Sequence, residues 1–261
     1  MITACLQGGT GNMLFQSAFA MAQAARFQTG WNVDKSLLNK AATVRSYTLD
    51  QWQMIPADAG IKMPTVCEEG MAYNQTLVDR IEDGDVLKGY WQSERYFISI
   101  KDEIYQRFKP RKEPDIRQVA GVVSVAVHVR RGDYLIEPHK SFHGNLSWEA
   151  YYKPAMDYMR ERFADPYFFI FTDDPTWVRE NWYTDFSLGR QIVMDPGPEA
   201  QDIWLMANCN HAIIANSSFS WWGAYLGEQF NKSRIVIGPK QWFDKGPKDT
   251  QDIMPERWRK I

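Results

Sequence analysis

Cysteine is scarce in this chain. Cys5, Cys67 and Cys209 are the three in 261 residues. An odd number at scattered positions, in no metal-ligand spacing, is no disulfide framework and fits a reduced, cytoplasmic environment. An excess of positive charge is also missing. Lys and Arg number 30 against 32 Asp and Glu, for a net charge of -2, which argues against a nucleic-acid binder. No uncharged apolar run reaches the length of a bilayer span. The opening MITACLQGGTGN has neither the basic nor the long apolar region of a secretory signal. There is no internal repeat and no low-complexity segment. The expectation is a soluble protein with no nucleic-acid partner.

Aromatics, by contrast, are plentiful, with 11 Trp and 12 Tyr. Most are expected to be ordinary core and surface residues. Trp31, Tyr47, Trp52, Tyr90 and Trp91 are candidates to stack on a sugar. The length allows one large domain or two small ones. Residues 2–7 read as a buried strand, Gly8 to Asn12 as a Gly-rich turn, and Met13–Phe27 as a helix with Asn12 as its cap and Gly30 as its stop. The glycines lack the G-x-G-x-x-G spacing of a dinucleotide fingerprint. The charged, proline-bearing Lys109–Pro114 reads as a linker, dividing the chain into 1–110 and 111–261. Beyond it, strands at 122–129, 167–171, 191–194, 212–215 and 234–238 alternate with helices. That pattern means a doubly wound parallel sheet, so the fold class is α/β.

The richest stretch is VVSVAVHVRRGDY, residues 122–134. A buried strand runs into His128, Arg130, Arg131 and Asp133, and ligands of open α/β sheets sit past the carboxyl ends of strands. Guanidinium grips phosphate bidentately, so the first guess is a phosphorylated ligand. Two more strand ends carry polar groups. In Thr172-Asp173-Asp174-Pro175, Asp174 is expected to cap a helix, leaving Asp173 free for a nucleotide or sugar hydroxyl. Asn216-Ser217-Ser218 opens another helix, where free N–H groups and hydroxyls cradle phosphate; alternatively Ser218 merely caps. Asp83-Gly84-Asp85 resembles a metal pair but reads as a turn. His139 and His143 fall in a loop, and His211 packs or caps before its strand.

HVRRGDY (128–134), FTDDPTW (171–177) and CNHAIIANSSFSWWGAYLG (209–227) resemble, in order, the signature blocks of the α1,2-fucosyltransferases, glycosyltransferase family eleven, in a bacterial form. GGTGNMLFQSAFAMA (8–22) is similar to the family's N-terminal block, departing from it at Met13-Leu14. The resemblance implies a GT-B-like architecture: two Rossmann-like halves with parallel sheets, the first on the acceptor side and the second binding the donor. It implies the donor GDP-β-L-fucose and transfer with inversion to the 2-hydroxyl of a terminal β-galactoside, with no metal or other cofactor.

Carried over, Arg130 holds the β-phosphate, His128 lies beside the nucleoside, Asp202 recognises guanine and Ser217 or Ser218 binds phosphate. Asn12 approaches the reacting sugar. Gly11, Asp173 and Asn216 are further donor-side candidates. Arg131 either joins the clamp or braces its loop. Glu137, Asp133 and His143 are candidate general bases. Another nucleotide-sugar transferase and a non-catalytic glycan-binding module are the alternatives. The acceptor glycan and the oligomeric state stay open. Location is expected to be cytoplasmic, with peripheral contact at the inner membrane face left open.

Overall fold

The computed structural model describes residues 1–38, 45–144, 146–182 and 189–261. The chain divides into two compact units, Met1–Arg111 with Asp249–Pro255, and Lys112–Lys248 with Glu256–Ile261. A cut at residue 110 alone would leave Asp249–Pro255 in the second half. Instead the Asp249 carboxylate accepts the Met71 and Ala72 N–H groups at 2.7 and 3.2 Å, which ties that segment to the first unit.

The first unit is built on β1 (Ile2–Cys5), β2 (Trp31–Asp34), β3 (Ala57–Asp58), β4 (Val66–Cys67) and β5 (Val86–Lys88). Among the described residues these form one sheet, in the order β3-β2-β1-β5-β4 and parallel throughout. Helix α1 (Thr10–Arg26) covers it and is buried along most of its length, as its run of Ala, Met and Phe dictates. Two shorter helices follow, α2 (Gln75–Asp79) and α3 (Lys101–Arg107).

Two sequence readings are corrected here. Helix α1 begins at Thr10 with Gly9 as its N-cap, so Asn12 lies inside the first turn. Its side chain instead accepts a hydrogen bond from Gln92 Nε2 at 2.7 Å. The helix ends at Arg26, four residues before Gly30. Of the aromatics, Trp52 and Trp91 are core, at 0% and 1% exposure, whereas Tyr90 is 38% exposed.

The second unit carries β6 (Ser124–Val129), β7 (Tyr167–Thr172), β8 (Gln191–Val193), β9 (His211–Ile213), β10 (Val236–Gly238) and β11 (Arg259–Lys260). The order is β11-β10-β9-β6-β7-β8, again with parallel pairs. Its helices are α4 (His139–His143), α5 (Lys153–Arg162), α6 (Pro175–Asn181), α7 (Glu199–Asn208) and α8 (Ser218–Gly227). Alternation along β6 sends Val125, Val127 and Val129 into a core with Tyr152, Met156, Met159, Phe168 and Ile170. Each such side chain contributes roughly 1.5–3 kcal/mol on burial. Arg234 is half-buried and donates to the Met206, Ala207 and Cys209 carbonyls. It therefore satisfies the carboxyl end of α7, a position that favours cations.

Both halves are thus α/β units on parallel sheets, as the sequence predicts. No helix among the described residues is long and apolar enough to cross a membrane.

Candidate functional site

In the second sheet the chain enters at β6, runs outward through β7 and β8, and then returns to pair β9 with the other side of β6. The strand order therefore reverses between β6 and β9. A parallel sheet of this kind opens a crevice at that switch point, beyond its carboxyl ends. The loops bordering it are Arg130–Asp133 after β6 and Asn216–Ser218 after β9. Asp173 and Asp174 follow β7, and the Met194–Asp202 stretch follows β8.

Arg130 is the charge at this edge. Its Nη2 donates to Asp133 Oδ1 at 2.6 Å, and its Nη1 pairs with Asp173 Oδ2 at 2.9 Å. The side chain is 24% exposed, and the guanidinium lies 5.5 Å from the Tyr134 ring centroid. Asp173 is therefore not free, as the sequence reading had it. Its second oxygen accepts the Arg131 backbone N–H at 2.9 Å, so one carboxylate holds both the clamp and its loop.

Arg131 faces elsewhere. Its guanidinium stacks 3.3 Å from the Trp177 ring centroid, and its Nε donates to Asp174 Oδ2 at 3.2 Å. Of the two readings open for Arg131, its contacts are those of the brace. Asp174 also caps α6 as expected, accepting the Trp177 N–H at 3.1 Å with Pro175 following.

His128 is 4% exposed and packs against Phe219, their ring centroids 5.4 Å apart. Its Nδ1 has no hydrogen-bond partner. Burial, aided by Arg130, pushes its pKa down to about 3, so the imidazole is neutral. The cap of α8 is Ser217, not Ser218, and the Ser217 hydroxyl makes no capping bond. The backbone N–H groups of that first turn are left without a side-chain cap. The Asn216 amide is committed, donating to the His143 carbonyl at 2.9 Å and the Trp242 carbonyl at 3.0 Å.

Asp202 lines a cavity of about 490 Å3 together with Phe169, Ile192, Met194, Gly197 and Leu205. Its carboxylate accepts the Gly197 N–H at 3.1 Å, yet burial raises its pKa to about 6. Of the three candidate bases, Asp133 and Glu137 lie in the segment after β6, and His143, which the sequence reading placed in a loop with His139, ends helix α4. Asp133 is paired with Arg130. Glu137 is exposed and accepts the Ser141 hydroxyl at 2.8 Å and its N–H at 3.2 Å, contacts that lower its pKa. His143 stacks on Tyr134 at 3.9 Å, and burial pulls its pKa down to about 4. Gly11 and Asn12 belong to the first unit, where both sit in the first turn of α1.

Sequence reasoning missed the tyrosines. Tyr134 donates to the Asn216 carbonyl at 3.1 Å, Tyr152 to the His128 carbonyl at 3.1 Å and Tyr151 to the Ile214 carbonyl at 2.5 Å. These three hydroxyls satisfy carbonyls at the ends of the site strands. Tyr134 could have been found from its place in HVRRGDY; nothing in the sequence marks the other two.

Known proteins are similar to this chain. The chain is 31% identical over 290 residues to an alpha-1,2-colitosyltransferase of Escherichia coli, covering 100% of this chain and 99% of the relative. It is 40% identical over 158 residues to galactoside alpha-(1,2)-fucosyltransferase 1 of Sus scrofa, covering 54% of this chain but only 42% of the relative. Among solved structures, fucosyltransferase NodZ from Bradyrhizobium matches at a TM-score of 0.45 and 13% identity, over 90% of this chain and 94% of that one. The family described as glycosyl transferase family 11 matches residues 85–261, a stretch that includes every element of the switch-point crevice. On that match and the full-length likeness to the colitosyltransferase, the chain belongs to glycosyl transferase family 11.

Proposed function

We propose that this protein transfers L-fucose from GDP-β-L-fucose, with inversion, to the 2-hydroxyl of a terminal β-galactoside. The observation that carries the reading is Arg130, a guanidinium held by two aspartates at the carboxyl end of β6. The fucosyltransferase name of the Sus scrofa relative supports it. In this reading the diphosphate meets Arg130 and the uncapped N–H groups of α8 at Ser217 and Ser218, with Asn216 holding their loop. The nucleoside lies by the neutral His128. The Asp202 carboxylate accepts two hydrogen bonds from guanine, at its N1–H and its amino group.

As the glycosidic bond breaks, negative charge grows on GDP. A fixed guanidinium and a helix N-terminus stabilise that charge as it develops. Positive charge supplied this way lets transfer proceed without a divalent ion, so turnover is expected to persist in EDTA. The oxocarbenium-like character of the fucosyl carbon keeps the demand on a base modest. The full-length likeness to a colitosyltransferase supports a second reading, a colitosyl group as the sugar moved.

The test is a donor screen by calorimetry and transfer assay, with linkage analysis of the product. Arg130→Ala is expected to keep its melting transition and lose transfer. Undiminished turnover of GDP-fucose by that variant would refute the assignment, and selective use of a colitosyl donor would favour the second reading.

A further inference from the structure

Tyr134 stands between the two parts of the second unit that the proposed reaction assigns to the diphosphate. One is the Arg130 guanidinium after β6. The other is the opening turn of α8 after β9. The chain leaves β6 and folds back in a single 3-10 turn, Gly132–Leu135. That turn places the Tyr134 ring with its centroid 5.5 Å from the guanidinium carbon of Arg130. An aromatic face at that distance attracts a guanidinium.

The far end of the same side chain reaches the neighbouring strand end. The Tyr134 hydroxyl donates to the Asn216 carbonyl at 3.1 Å. Asn216 directly precedes Ser217 and Ser218, where α8 begins. Asn216 is 3% exposed and Tyr134 9%, so little water competes for this bond.

The ring is fixed in its plane as well. It stacks on His143, the last residue of α4, with centroids 3.9 Å apart and planes 7° from parallel. The His143 carbonyl accepts the Asn216 amide at 2.9 Å. The contacts close a circuit: Tyr134 ring to imidazole, His143 carbonyl to Asn216 amide, Asn216 carbonyl back to the Tyr134 hydroxyl. The Trp242 carbonyl, which takes the Asn216 amide at 3.0 Å, anchors that circuit. Moving any one of the three residues breaks two of its contacts. Tyr151 and Tyr152 also donate to strand-end carbonyls, but of the three rings only that of Tyr134 faces a cation of the site among the described residues. The hydroxyl and the ring therefore act on different groups, the first on the start of α8 and the second on Arg130.

Resting on the transferase reading above, we propose that Tyr134 is a positioning residue for the donor diphosphate. It sets the spacing between the Arg130 guanidinium and the N–H groups that open α8. Two positive groups on separate loops grip one diphosphate only when their separation is held in advance. The charge they meet grows as the sugar departs, so their spacing counts for more in the transition state than in the ground state.

The experiment compares the full chain with Tyr134→Phe and Tyr134→Leu, well below the melting transition. Calorimetry measures GDP directly and guanosine by displacement of GDP; guanosine carries the base and ribose but no phosphate. In Tyr134→Phe the Kd for GDP should rise about three- to tenfold, the net worth of one hydrogen bond. In Tyr134→Leu, which loses the ring too, it should rise more than about tenfold. The Kd for guanosine should move less than about twofold in both. In transfer assays with GDP-fucose and a β-galactoside, the fall in kcat/KM for Tyr134→Phe should exceed the rise in Kd. Equal weakening of GDP and guanosine would overturn the inference, since a tyrosine that only packs would act on both. Should Tyr134→Leu fail to fold, Tyr134→Phe, which loses a single oxygen, still decides it. Wild-type protein that binds GDP no more tightly than guanosine would overturn the diphosphate reading and this one together; a Tyr134→Phe variant with wild-type affinity for GDP would overturn this one alone.

Discussion

Gly132 leaves room for Asp173: a Cβ at Gly132 would stand 2.5 Å from Asp173 Oδ2. That oxygen is the one that holds Arg130 Nη1. The residue without a side chain therefore leaves the space in which Asp173 can aim Arg130. Gly132→Ala should push Asp173 off the guanidinium. A hydrogen bond to a charged group is worth about 1.5–3 kcal/mol. Loss of the aim it provides should raise the Kd for GDP-fucose about tenfold, which corresponds to roughly 1.4 kcal/mol. Calorimetry on the variant checks this, and an unchanged Kd would mean that Asp173 yields without disturbing Arg130.

Arg131 should separate from Arg130 on substitution. Its guanidinium is engaged by Trp177 and Asp174, so it ties the loop after β6 to α6. Arg131→Ala is expected to cost about 1–2 kcal/mol of stability, the scale of a partly desolvated cation–π contact with an ion pair. The Kd for GDP-fucose should move by less than threefold. Thermal unfolding and calorimetry together decide it; a melting temperature that holds while affinity collapses would make Arg131 a second phosphate ligand.

The second half of the fold was legible because its strands announce themselves. SVAVHV and YFFIFT are largely apolar runs, each followed by a polar, turn-forming group, and the order of strands and helices permits little but a parallel sheet. In the first half β3 and β4 have two residues each. Pairing with β2 and β5 makes them strands, and propensity over two residues carries no signal. The Arg clamp was readable from sequence, but the carboxylates that aim it were not. Asp173 lies 43 residues from Arg130 in sequence and meets it only because β6 pairs with β7. The structural partners of Asn216 were hidden for a related cause: the carbonyls its amide satisfies belong to His143 and Trp242, which no local pattern connects to it.

Asn216→Asp should show how much that amide secures. A carboxylate has no N–H to donate, so the His143 and Trp242 carbonyls would lose their donor and face a charge instead. Each buried group left unsatisfied costs about 1–3 kcal/mol. The variant should lose several °C of melting temperature, at about 2–4 °C per kcal/mol for a protein of this size. Asn216→Ser, which can still donate one bond, should fall between the two. Equal melting temperatures for wild type and Asn216→Asp would show that α4 is held by other contacts.

The proposed guanine contact of Asp202 predicts that donor binding weakens as the solution is acidified through pH 6. Burial raises the Asp202 pKa from 3.8 to about 6. The carboxylate is therefore charged above that pH and neutral below it, and only the charged form accepts from both guanine N–H groups. Guanine binding favours the charged form, so the midpoint in the complex should lie below that of the free protein. The Kd for GDP should then rise about tenfold for each pH unit below the free-protein midpoint until the complex itself protonates. Asp202→Asn carries one acceptor oxygen at every pH, so its Kd should be weak and flat across the same range. Titrating GDP into both proteins from pH 5 to pH 8 measures this directly. A wild-type Kd that stays level across that range would separate Asp202 from the nucleobase.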